Sequence, residues 1–331
     1  MKWLVMLLAL AFAAPLAAQA RDPLDWSTPD RELRVPVEGG SIWVRVNGNL
    51  NADHPPVIFI HGGPGGTHAV FGDMLSLADE RAVILYDQLD SGMSDRPDNP
   101  ANWRVERFVA ELEAIRKALG VERWHMVGHS WGAALALEYA AAYPEHTAST
   151  VLAGTFISTP HWIMGTNLLI RQLPDAVQAD ILACESPAPP PAETCVAATT
   201  AFAATYSGRP DRPARSPEAL AYLKRYNGRG FNPKLYNAMW GPSEFSARGS
   251  LVGYDGTPLL ARMNGNRTLF MVGQYDEAQL DQVLDFVTLT PGAELAVVPG
   301  GSHAFFSERP FEAEALLRGW MNRIDARGRR L

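Results

Sequence analysis

Short apolar runs separated by longer amphipathic stretches organise this chain. The runs at 41–46, 57–60, 83–86, 124–127, 150–152, 268–272 and 294–298 read as strands. Val57-Ile58-Phe59-Ile60 has no polar position at all, the mark of a strand covered on both faces. Between these runs, 105–119, 131–143 and 311–324 carry helical spacing. Strands alternating with helices predict a mostly parallel central sheet flanked by helices. The alternation stops between 159 and 250, where proline interrupts a polar stretch that carries Trp162, Phe202, Tyr206, Tyr222, Tyr226, Phe231, Tyr236 and Trp240. This reads as a helical cap inserted before the last strands, over their carboxyl ends, where open α/β sheets bind ligands. Most of its aromatic residues are expected to form its own core. The expected core is then 21–158 with 251–331, and the cap is 159–250.

The first residues follow a different pattern. Met1 and Lys2 precede an apolar run at 3–14, Pro15 breaks it, and Ala18-Gln19-Ala20 has the small-x-small form of a cleavage site. A cleaved signal peptide over 1–20 and export to the periplasm are expected. The run is shorter than the roughly 20 residues a membrane span needs, so no stable membrane insertion is expected after cleavage. In an oxidising compartment the chain's two cysteines, Cys184 and Cys195, are expected to pair; two free thiols are the alternative. With no Cys/His cluster around them they make no zinc site.

Composition narrows the partners. The chain has 331 residues, 47% of them hydrophobic, and a formal net charge of −7. That allows a large core, and no basic patch offers itself to a nucleic-acid backbone. No cofactor is expected, and composition leaves the oligomeric state open.

The chemistry centres on Gly128-His129-Ser130-Trp131-Gly132, between a strand and a helix rich in alanine. This is the setting of a nucleophile elbow, whose tight turn lifts the serine hydroxyl above the sheet and demands small neighbours. The serine needs a base, and in this kind of site the acid and then the histidine follow it in sequence. Of the later histidines, His146 ends the helix after the elbow and His161 opens the insertion. His303, in Gly300-Gly301-Ser302-His303, follows the last strand and has an acid after a strand before it, Asp276. Glu277 is the competing acid, while Asp281 and Asp285 fall in the following helix. The oxyanion donors are expected at Trp131 and at Gly63 in the loop His61-Gly62-Gly63-Pro64-Gly65-Gly66. That loop lacks the Lys-Ser/Thr ending of a phosphate loop, and His61 is expected to brace it.

These motifs resemble the proline iminopeptidase family of α/β-hydrolase serine aminopeptidases. The resemblance covers about 41–321. It rests on HGGPGG at 61–66, YDQLDSGMSD at 86–95, GHSWG at 128–132, GPSEF at 241–245, GQYDE at 273–277 and GGSH at 300–303. It implies hydrolysis after an N-terminal residue, often proline, by Ser130, Asp276 and His303. It also implies that Glu244, in GPSEF, holds the substrate ammonium. The departures are Asp90 and Met93, in place of glycine and arginine, and a segment 225–230 without the family's second cap acid. They leave room for an amino-acid amidase, or for a carboxylesterase or lactonase on the same triad, so a small peptide, amide or ester is the expected substrate. A non-catalytic binding protein would have no use for a complete set of triad and oxyanion elements.

Overall fold

The computed structural model describes residues 29–328; the expected signal peptide lies outside the described residues. Among these, eight strands form one sheet: β1 (Arg31–Val37), β2 (Gly40–Asn47), β3 (Val57–Ile60), β4 (Val83–Asp87), β5 (Trp124–His129), β6 (Thr147–Ala153), β7 (Thr268–Gly273) and β8 (Glu294–Val298). Their order is β1-β2-β4-β3-β5-β6-β7-β8. β1 and β2 pair antiparallel, β2 meets β4 antiparallel, and every other pair is parallel.

The helices are α1 (Val105–Leu119), α2 (Trp131–Ala142), α3 (Thr159–Ile170), α4 (Asp175–Cys184), α5 (Ala192–Tyr206), α6 (Pro217–Tyr226), α7 (Pro233–Met239), α8 (Thr257–Leu260), α9 (Leu280–Thr288), α10 (Phe305–Glu308) and α11 (Pro310–Gly328). Alternate side chains of the parallel strands point to opposite faces. Ile58, Ile60, Met126, Leu152 and Phe270 pack with Phe108 and Leu112 of α1, Leu135 of α2 and Phe286 of α9. Val57, Phe59, Val127, Val151 and Met271 pack with Phe71, Phe305 and, on α11, Leu317, Trp320 and Met321. The sheet is therefore covered on both sides, as its unbroken apolar runs require.

α3 to α7 lie between β6 and β7. Cys184 at the end of α4 and Cys195 in α5 form a disulfide. Cap and core are tied by polar contacts: the His68 imidazole bridges Asp87 (2.8 Å) and the Tyr222 hydroxyl of α6 (2.7 Å). Asn232, before α7, bonds the Gly65 carbonyl through its N–H at 2.9 Å.

Candidate active site

Register brings the site together. In the parallel β3–β5 pair Ile60 lies opposite Gly128, and in β5–β6 His129 lies opposite Ala153. The loops that follow β3, β5 and β6 therefore leave the sheet at the same edge. Ser130 sits between β5 and α2 at φ 57°, ψ −125°, a conformation that costs a non-glycine residue about 1–3 kcal/mol. A Cβ at Gly128 would strike the Gly132 carbonyl, and one at Gly132 the Ile60 carbonyl. The two glycines of the motif are thus required by close backbone packing.

His303, just before α10, meets Asp276 through Nδ1 at 2.7 Å from Oδ1. The carboxylate is 5% exposed as a residue and also accepts the N–H groups of Gly273 (3.1 Å) and Ala278 (2.9 Å). Asp276 being an acceptor, the proton belongs on Nδ1, and Nε2 is left for the serine. The Ser130 hydroxyl forms no hydrogen bond to His303 here; such contacts commonly tighten only around substrate. Glu277 does not compete for Nδ1. Its Oε1 lies 3.7 Å from Nε2, and its Oε2 accepts the Ser207 hydroxyl at 2.9 Å. Asp281 and Asp285 are exposed on α9; His146 bonds the Glu122 carbonyl and His161 the Ser158 hydroxyl, away from the serine.

The expected oxyanion donors line one pocket with the serine. Gly63, Pro64, Ser130 and Trp131 share it with Phe156, Trp162, Trp240, Leu251 and Glu244. As the first residue of α2, Trp131 has an N–H without an intrahelical acceptor. A Cβ on Gly62 would come within 2.8 Å of the Ser130 Cβ, which shows how closely the glycine loop approaches. His61 braces this loop: Nε2 accepts the Gln88 N–H (3.0 Å) and Nδ1 donates to the Gly62 carbonyl (3.0 Å). Burial pulls the His61 pKa down, in keeping with a neutral ring. Gln88 joins the two halves of the pocket, donating to the His61 carbonyl (2.8 Å) and accepting from the Trp131 indole (3.1 Å).

Glu244 turns its carboxylate inward, where Oε1 accepts the Tyr236 hydroxyl at 2.6 Å. Its main-chain carbonyl accepts the Trp162 indole at 3.0 Å. Burial raises its pKa. Glu277, 2% exposed, is raised by burial and by the Glu244 charge. The two carboxylates are close enough to act on each other and on His303. The segment 225–230 carries no acid, and a second carboxylate near Glu244 comes instead from the core loop after β7, at the position next to Asp276. The sequence signal was the Asp-Glu doublet, whose second member looked like a rival for the first. His129 was also missed. Its Nε2–H donates to the His303 carbonyl at 2.8 Å, and the two rings lie 4.5 Å apart at a 40° tilt. Burial and the His303 charge hold its pKa down to about 3, so it stays a neutral support.

Two departures from the family pattern have a local explanation. Asp90 stands at φ 67°, where glycine is easiest. Its carboxylate offsets the strain by accepting the Asp98 N–H (2.7 Å) and the Trp103 indole (2.8 Å). Met93 packs against Trp43, Ala219, Tyr222 and Tyr226, at the foot of α6.

Comparison with known proteins agrees with this architecture. A family model described as the alpha/beta hydrolase fold matches residues 55–310. The proline iminopeptidase of Heyndrickxia coagulans is 35% identical over 83% of this chain and 93% of its own length. That of Levilactobacillus brevis is 32% identical over 88% and 96%. The crystal structure of the Mycobacterium smegmatis proline iminopeptidase superposes with a TM-score of 0.76 at 29% identity, covering 90% of this chain and all of that one. With sheet order, motifs and relatives in agreement, this chain belongs to the proline iminopeptidase family of α/β-hydrolase-fold serine aminopeptidases.

Proposed function

We propose that the protein is exported and removes an N-terminal residue, proline or another small one, from short peptides or amino-acid amides through an acyl-enzyme on Ser130. The observation that carries this reading is the carboxylate pair of half-buried Glu244 and buried Glu277, both close enough to His303 to raise its pKa, with Glu244 on a pocket walled by Phe156, Trp162 and Trp240. Buried carboxylates crowded together gain most from a ligand that brings positive charge. A free α-ammonium does so. A simple ester or lactone brings no charge, so a carboxylesterase would have no use for the pair.

In this mechanism Ser130 Oγ attacks the scissile carbonyl while His303 Nε2 takes the hydroxyl proton. Asp276 holds Nδ1–H and balances the imidazolium. The N–H groups of Gly63 and Trp131 stabilise the oxyanion, each such donor being worth about 3–4 kcal/mol. His303 then protonates the leaving amine, and the acyl group stays on Ser130. A water molecule, losing its proton to His303, attacks the acyl carbon, and the proton returns to Ser130 as the acid leaves. Burial opposes charge on His303, but Asp276, Glu277 and Glu244 outweigh it and raise its pKa to about 9. A substrate ammonium between the two glutamates would offset their field, lower that pKa and release the base form. Ammonium recognition and base activation are thereby coupled.

The small-x-small site at 18–20 and the disulfide support export. A mature N-terminus near Arg21 in a periplasmic fraction is expected; recovery of the uncleaved chain in the cytoplasm would overturn that part. For the activity, prolyl and alanyl nitroanilides are compared with their N-acetyl forms and with nitrophenyl acetate. The free amines should exceed the N-acetyl forms in kcat/KM by roughly a hundredfold. No preference for the free amine would refute the aminopeptidase reading.

A further inference from the structure

The disulfide lies on the cap surface, yet the residues that follow Glu244 rest on the helices it joins. Phe245 packs among Ile181 of α4 and Ala198, Phe202 and Tyr206 of α5, with its ring 5.3 Å from that of Phe202. Ser246 donates its hydroxyl to Glu185 Oε2 at 2.7 Å, and Arg248 reaches the same oxygen at 2.7 Å. Glu185 directly follows Cys184 at the end of α4. The far end of α5 touches the rest of the site: the Tyr206 carbonyl accepts the His303 N–H at 3.0 Å, and Ser207 holds Glu277. One stapled helix pair thus supports the residues that directly follow Glu244, and at the end of α5 it meets Glu277 and the histidine loop.

We propose that the Cys184–Cys195 disulfide and Glu185 are positioning elements for the carboxylate pair, so that reducing the disulfide selectively weakens recognition of substrates with a free amine. The inference rests on the amine-anchor reading above. Both cysteines are half-buried, within reach of a small dithiol. The dithiol reduces the bridge to two thiols and itself closes to a cyclic disulfide. α4 and α5 then lose their covalent link, and the seats of Phe245 and Ser246 move with them. Ser130, Trp131 and Gly63 hang on β5, α2 and the β3 loop, and the His303 ring is fixed by Asp276 and stands on the core loop before α10, so the chemistry on small esters depends on this support far less than the seat of Glu244 does. Glu185 acts through Ser246 and touches no reacting atom.

The test uses the oxidised mature protein, the same protein reduced with dithiothreitol and alkylated, a reduced and then reoxidised sample, and Glu185→Gln. Prolyl nitroanilide and nitrophenyl acetate are assayed in parallel, with Glu244→Gln as reference. Reduction should lower kcat/KM for the free-amine substrate roughly tenfold or more, mainly through KM, since small misplacements of binding groups have effects of this order. Ester turnover should stay within about twofold, and reoxidation should restore the ratio. Glu185→Gln should move the ratio in the same direction by less. An unchanged ratio on reduction, or equal losses on both substrates, would overturn the proposal. If Glu244→Gln itself shows no amine-selective loss, the anchor reading has failed, and the reference variant reveals that separately.

Discussion

Glu244→Gln isolates one charge. Glu244 Oε1 accepts the Tyr236 hydroxyl at 2.6 Å, and the glutamine amide oxygen can accept the same bond. Trp162 holds the main-chain carbonyl, not the side chain, so the loop keeps its other tie. What disappears is attraction for an ammonium. At about 4 Å and an effective dielectric near 20, a carboxylate and an ammonium attract by about 4 kcal/mol. Glu277 stays behind and keeps part of that hold, so the net loss should be about 2–4 kcal/mol. For prolyl nitroanilide this is a fall in kcat/KM of roughly 30- to 1000-fold. Nitrophenyl acetate, with no amine, should change by less than about threefold at the alkaline plateau of the profile, where His303 is already the free base. Both substrates are assayed on one preparation, with thermal melts to confirm the fold. Equal losses on both would make Glu244 a structural support of the cap. No loss on either would remove the anchor altogether and leave the esterase alternative as the better account.

Ser130→Ala should cost on the order of a million-fold in kcat and abolish fluorophosphonate labelling; retention of a few per cent of activity would displace Ser130 as nucleophile. Glu277→Gln removes a charge that helps raise the His303 pKa to about 9. Its acidic limb of kcat/KM for nitrophenyl acetate should therefore move to lower pH; a limb that stays put would mean that Glu277 does not act on the histidine. On α11, Asp325 accepts from His54 (2.8 Å), His125 (3.0 Å) and the fully buried Arg81 (3.1 Å). Despite burial, these partners hold its pKa well below the usual carboxylate range. A carboxylate with a depressed folded pKa stabilises above its unfolded pKa of about 3.9, and that contribution is lost as pH falls. Asp325→Asn should lower stability by about 2–4 kcal/mol at pH 7, with the difference from wild type fading below about pH 4. Thermal or urea melts across pH measure it, and a constant difference down to pH 2 would contradict the assignment.

Much of the core was legible because strand and helix periodicities are local. The expected helix at 105–119 coincides with α1, and the apolar runs coincide with β2 to β8 to within a few residues. β1 went unread because it is an edge strand, Arg-Glu-Leu-Arg-Val-Pro-Val, with only Val35 buried. Its polar alternation is how an exposed edge avoids pairing with other chains, and it hides the strand from a search for apolar runs. Within 159–250 the aromatic residues announced a cap but not its division of labour. Phe202, Tyr206, Tyr222 and Tyr226 pack in clusters, while Trp162 and Trp240 wall the pocket.

By itself the sequence determined the strand–helix framework, the strained serine between two obligatory glycines, and the order serine, acid, histidine. Each of these depends on neighbours a few residues apart, where backbone sterics and side-chain period act directly. Only the tertiary structure decided that Asp276 takes Nδ1 while Glu277 lies on the Nε2 side of the ring, held by Ser207. That outcome depends on the folding of α5 and the 241–248 loop over a β7 loop distant in sequence. Two adjacent acids are interchangeable in a string of letters. Burial beside His303, Ser207 and a second carboxylate sets them apart, because in a desolvated site each charge is assigned by the partners that surround it.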